Sequence, residues 1–156
     1  MGDVPQKAVQ LSAAWIESLE TCLAKRGDLT LTKEVMKAAG EQCSVQIMDD
    51  CRQILGKNPG SEDELLDAMN QRRSQNHHLT SLWEKQGNTA HLILEECNCT
   101  LVKAGLVEPN PVHCLCSQGM METLFSKFCR GQVKVELVKS IGNGNDVCEF
   151  IVTFEE

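Results

Sequence analysis

Four of the nine cysteines in this 156-residue chain fall between Glu95 and Gly119, as Cys97-x-Cys99 and Cys114-x-Cys116 on either side of a loop holding Pro109 and Pro111. Thiolate sulfur is a soft ligand for zinc and iron–sulfur clusters, and two short cysteine pairs supply the four ligands of one such site. Cys97, Cys99, Cys114 and Cys116 are therefore candidate metal ligands, although Cys-x-Cys is less typical of zinc chelation than Cys-x-x-Cys. The same residues could instead carry thiol chemistry. Cys116, one residue before Ser117 as an expected helix cap, is the first candidate for an activated thiol, because helix amides and the positive end of a helix stabilise thiolate; Cys114 is its competitor. His91 or His113 could act as base, with Glu95 or Glu96 to orient it. A plainer account stands beside each of these. Cysteine is among the most buried residue types, which suffices for Cys22, Cys129 and Cys148, and a lone strand or loop histidine usually makes an ordinary hydrogen bond. Glu95 and Glu96, as neighbours on a strand, would face opposite ways and so form no carboxylate pair. His77-His78 reads as a solvated connector.

Those residues depend on the elements that hold them. Val4, Ala8, Leu11, Trp15, Leu19 and Leu23 recur every three or four positions, which predicts an amphipathic helix ended by Arg26-Gly27-Asp28. Thr30 or Thr32 is the expected cap of a second helix carrying Val35, Met36, Ala39 and Cys43, with Gly40 weakening its middle. After the Gly56–Gly60 turn, Ser61 and Glu64 stand in capping-box spacing before a third helix. The period then changes to two. LTSLWEK and TAHLILEEC flank Gln86-Gly87-Asn88 as a hairpin whose second strand runs into Cys97. A fourth helix is expected from Ser117 through Phe128 to Gly131, and Val133–Leu137 and Cys148–Phe154 alternate as a second hairpin. This order, with no alternation of strand and helix, predicts one α+β domain over 1–156, its helices packed on a mainly antiparallel sheet: a helical part at 1–75 and a sheet-bearing part with the cysteine cluster at 76–156. Met36, Trp83, Met120, Phe125 and Phe150 are candidates to line an apolar ligand pocket between the layers, or simply to fill the core.

Composition narrows the partners. With 42% hydrophobic and 24% charged residues the chain is long enough to bury a core without disulfides, and its net charge of −7 comes with no run rich in Lys and Arg. No nucleic-acid partner is expected. No apolar run approaches the roughly 20 residues of a membrane span, and the start MGDVPQKAVQ lacks the features of a signal peptide, so a cytoplasmic location and no membrane association are expected. In a reducing compartment an odd count of nine cysteines speaks for buried, ligating or reactive thiols rather than a disulfide framework.

Cys97, Cys99, Cys114, Cys116, Gly131, the stretch VKVELVKSI and Cys148-Glu149-Phe150, with a weaker AAGEQC match ending at Cys43, resemble small bacterial and archaeal proteins related to the 4-vinyl reductase (V4R) domain and to L-2-amino-thiazoline-4-carboxylic acid hydrolase-like proteins. The resemblance covers about the last 60 residues well and the front loosely. It implies an α+β fold like that of V4R, haem-nitric-oxide-binding and trafficking-complex ligand-binding domains. It also implies a small-molecule or metal-binding, sensory role, with Cys97, Cys99, Cys114 and Cys116 as ligands. A cysteine-dependent hydrolase of a small amide or thiazoline is the alternative, and an interaction protein with buried cysteines is the third. The expected partners are a small molecule or a metal ion, and a homodimer is compatible with the reading. No DNA-binding or signalling module is recognisable beside it.

Overall fold

The computed structural model describes residues 5–75 and 81–155; Val4 and the His77-His78 connector lie outside them. Three helices lead, α1 (Gln6–Arg26), α2 (Leu29–Leu55) and α3 (Glu62–Gln75), followed by strands β1 (Glu84–Gln86) and β2 (Thr89–Leu94). A short helix α4 (Thr100–Lys103) and the long α5 (Pro111–Phe128) separate these from β3 (Gln132–Lys139) and β4 (Cys148–Glu155), with a 3-10 turn at Ile141–Asn143 between the last two strands. The strands form one antiparallel sheet in the order β1-β2-β4-β3, and the helices pack on it, which is the α+β arrangement expected.

The second hairpin stands where the alternation places it; the first forms at the expected turn, but its leading strand is only Glu84–Gln86 rather than the LTSLWEK stretch. Gly87 turns the first with φ of 61°, and Cys148, Phe150, Val152 and Phe154 point from β4 into the core while their neighbours do not. α5 lies between α2 and β3 and delivers Leu124 and Phe125, both fully buried, to the sheet face. The rings of Trp83 and Phe154 meet Phe125 edge-on at 5.4 and 5.7 Å. Trp83, Phe125 and Phe150 therefore belong to the core cluster, with Met120 packed against it and Met36 buried on α2, so these five serve as packing.

Four local expectations are corrected. The α2 cap is Asp28, whose side chain accepts from the Leu31 amide at 3.0 Å, rather than Thr30 or Thr32. Gly40 does not interrupt α2, because it is where α5 comes closest: a Cβ there would collide with the Cys116 carbonyl oxygen and the Met120 amide. α5 begins at Pro111, with Asn110 as its cap accepting from the His113 amide at 2.9 Å, so Cys114 and Cys116 lie inside the helix and Ser117 caps nothing. β2 ends at Leu94, so Glu95 and Glu96 sit in a bend beyond the strand and Cys97 in the coil after it. Ser61 caps α3 as expected, accepting from the Glu64 amide at 3.2 Å.

α1 is the larger surprise. The helix forms, but Leu11, Trp15 and Leu19 face outward, and the buried side chain it contributes is Glu20.

Candidate functional site

Glu20 is 6% exposed and His113 5% exposed, and they meet. The Nδ1 of His113 lies 2.5 Å from Glu20 Oε1, and its Nε2 lies 3.3 Å from the Sγ of Cys99. The remaining carboxylate oxygen, Oε2, accepts from the Asn110 side-chain amide at 2.6 Å. A carboxylate on α1, an imidazole in the first turn of α5 and a thiol just ahead of α4 thus form one line across three helices.

Each position follows from local structure. Asn110 does two things at once, capping α5 through Oδ1 and holding Glu20 through Nδ2, so the cap fixes the carboxylate relative to His113. A carboxylate beside a helix amino terminus is favoured by the unpaired amides there, which offsets part of the cost of burying it. Cys99 occupies the cap position of α4 in an extended conformation, and its carbonyl accepts from the Lys103 amide at 2.9 Å. Its thiol makes no regular side-chain cap hydrogen bond, yet the Val102 and Leu101 amides lie near enough to favour its anion. Half-buried, Cys99 keeps a route to solvent that His113 lacks.

The electrostatics favour a thiolate and an imidazolium. Burial opposes ionisation of the Cys99 thiol, but the hydrogen bond with His113 and the two backbone amides outweigh it, and its pKa is lowered. The Cys99 contact, and after it the Glu20 carboxylate, push His113 up to about 10 against its own burial. Both shifts favour the charge-separated pair, with Glu20 holding the imidazole from behind.

Of the residues singled out in the sequence, His113 lies in this site, buried rather than solvated, while His91 stays on β2 with Thr89 Oγ1 at 3.3 Å. Cys116 is not the activated thiol. It sits in the second turn of α5 instead of ahead of a helix, and its contact with Cys43, and then burial, raise its pKa. Cys114 is buried under the 3-10 turn, where a Cβ on Gly142 would strike its sulfur. Burial, with Cys99, Cys148 and Cys114 nearby, raises the pKa of Cys97. Cys148 in turn accepts from the Ile141 amide at 3.4 Å, so it belongs to this neighbourhood. The two pairs thus come near one another. Even so, among the described residues no group of three or more His, Cys, Asp or Glu is arranged to hold a metal ion, so no zinc or iron–sulfur ligand set is found among them. Glu96 turns outward toward Lys103 at 3.9 Å and takes no part. The residue missed altogether is Glu20. Its only mark in the sequence is a charge beside the apolar row of an amphipathic helix, which ordinarily means solvent.

A family model described as a family of unknown function (DUF6144) matches residues 1–156, and the chain belongs to that family. No curated protein matches. Among solved structures the chain is similar to trafficking protein particle complex subunit 3 from Naegleria fowleri, described as covalently bound to palmitic acid, with a TM-score of 0.61, 13% identity and 97% of each chain covered. That likeness establishes a trafficking-complex-like fold.

Proposed function

We propose that this DUF6144 member uses Cys99 as a nucleophile in acyl transfer or hydrolysis, with His113 as its proton partner and Glu20 as the group that orients His113. The observation that carries the reading is the unbroken line Glu20–His113–Cys99, at 2.5 and 3.3 Å, with the thiol at its accessible end. A carboxylate, an imidazole and a nucleophile in that order recur on unrelated folds, and are recognised by geometry rather than by sequence position. In the proposed step the Cys99 thiolate attacks the carbonyl carbon of an amide or thioester, the proton on His113 Nε2 goes to the departing amine or thiol, and an S-acyl Cys99 remains. Neutral His113 then takes a proton from water, whose oxygen attacks the thioester; the acid leaves and the proton returns to the site. The structurally similar subunit from Naegleria fowleri is covalently bound to palmitic acid, which is compatible with a fold that can hold an acyl group on a side chain. The resemblance to thiazoline hydrolase-like proteins agrees with the reading on its hydrolytic side.

The test is alkylation and acylation of the reduced protein, mapped by mass spectrometry. Near neutral pH iodoacetamide should modify Cys99 faster than the exposed Cys22, and His113→Ala should slow Cys99 clearly, because it removes the hydrogen bond that lowers the pKa of that thiol. A p-nitrophenyl ester should leave its acyl group on Cys99. A rate at Cys99 no higher than at Cys22, or one indifferent to His113→Ala, would remove the proposal.

A second reading concerns assembly. The outward row Leu11, Trp15 and Leu19 on α1, in a fold shared with a complex subunit, favours a protein partner laid along that helix.

A further inference from the structure

α2 and α5 cross at a point built for close approach. A Cβ on Gly40 would enter the backbone of α5 at Cys116 and Met120, and one on Gly119 would strike the Cα of Lys37. Lys37 also reaches Glu122 at 3.2 Å, so the helices run antiparallel through the contact, with Lys37 opposite Gly119 and Glu122, and Gly40 opposite Cys116 and Met120. One turn further along α2 from Gly40 stands Cys43, and the residue of α5 it neighbours is Cys116, so the crossing sets the two thiols side by side. Glycine on both sides lets the two backbones approach closely, as a disulfide between two helices requires, because its Cα atoms must stand about 4.4–6.8 Å apart.

We propose that Cys43 and Cys116 form a thiol–disulfide exchange centre across the α2–α5 crossing, whose oxidant is a low-molecular-weight disulfide such as glutathione disulfide. The two cysteines divide the work by exposure. Cys43 is exposed and meets the oxidant, whereas Cys116 is half-buried and meets Cys43. The Cys43 thiolate attacks one sulfur of the small disulfide and expels a thiolate that takes a proton from water; the Cys116 sulfur, losing its proton, attacks Cys43 and expels the second thiol. Two protein thiols and one disulfide thus become one protein disulfide and two small thiols. Cys116 contributes by hydrogen bonding to a Cys43 thiol lowered to about 6, and once Cys43 is in a mixed disulfide the negative charge that kept Cys116 protonated is gone. The first step thereby prepares the second. No part of this depends on Cys99 as a nucleophile.

The experiment equilibrates the intact protein with glutathione at graded ratios of reduced to oxidised form, quenches by alkylation and maps cysteine peptides. The expected result is a Cys43–Cys116 cross-linked peptide appearing at more reducing ratios than any other cysteine pair. Cys43→Ser, at an exposed site that leaves the crossing intact, should abolish it, and Cys116→Ser should trap glutathione on Cys43. Cys99→Ser, run in parallel, should leave the cross-link unchanged. Glutathione accumulating on wild-type Cys43 without the cross-link would overturn the proposal, as would a Cys43 that reacts no faster than Cys22.

Discussion

Along β4 the buried side chains are Cys148, Phe150, Val152 and Phe154, one in two, whereas the buried set at the amino end of α5 is Val112, His113, Cys114 and, from α1, Glu20. The sheet face costs little in polar desolvation, since β4 pairs with β2 on one side and β3 on the other and its inward residues need only be apolar. The α5 site buries a carboxylate and an imidazole, which hold there because each satisfies the other, Asn110 satisfies the second carboxylate oxygen and Cys99 the second ring nitrogen. One region is stabilised by area and the other by partners. They should therefore fail differently when one residue is removed.

The largest effect is expected in the sheet core. Phe125→Ala removes the ring between Trp83 and Phe154 and leaves a cavity in a fully buried place, which should cost about 3–5 kcal/mol. Denaturant unfolding should register that loss equally at pH 6 and pH 9, because no titrating group is involved. A loss confined to one end of the pH range would mean that core and site are not separate.

A smaller loss with a marked pH dependence is expected in the site. His113 is pushed up to about 10 from an ordinary 6.5, so the stability its charge supplies is complete below pH 6.5 and disappears as pH rises through about 10. Glu20→Gln keeps an oxygen for the imidazole but removes the charge, and should cost about 3 kcal/mol, the low end for breaking a buried pair. It should also flatten the wild-type decline between pH 6.5 and 10. Parallel curves for wild type and variant would show that Glu20 does not support the imidazolium.

The same division explains what the sequence disclosed. Val133–Leu137 and Cys148–Phe154 alternate within themselves, so the hairpin they form could be read from eight residues at a time. The site joins Glu20 to His113 across 93 positions and Cys99 to His113 across 14, and no local period records such a meeting. Asn110-Pro111 was the overlooked signal: a cap residue followed by proline starts α5 six residues ahead of Ser117, and that shift moves Cys116 from a helix entrance into a helix interior. Gly40 misled for a related reason, since its use is a contact with a helix some eighty residues away and not a break in its own.

The smallest effect is expected on α1, where the periodic reading and the structure assign opposite faces to the core. The pattern makes Leu11, Trp15 and Leu19 the buried row; in the fold Trp15 is 70% exposed and Glu20, one residue past the row, is the group turned inward. α1 touches α2 and α5 only lightly, and its inward face is Glu20 with the half-buried Val9, Ala13, Ile16 and Leu23 rather than the row Leu11, Trp15 and Leu19. Trp15→Ser should then change monomer stability by no more than about 0.5 kcal/mol, as for other surface substitutions. The two tryptophans supply an internal comparison: iodide should quench Trp15 and spare Trp83, which is 4% exposed. If the row is instead the seat of a second copy or another protein, Trp15 in the wild type should become protected as concentration rises or the partner is added, sedimentation should show the larger species, and Trp15→Ser should abolish both. Protection of Trp15 in dilute monomer would place the row in the core after all, and with it would go the assignment of Glu20 to the inward face.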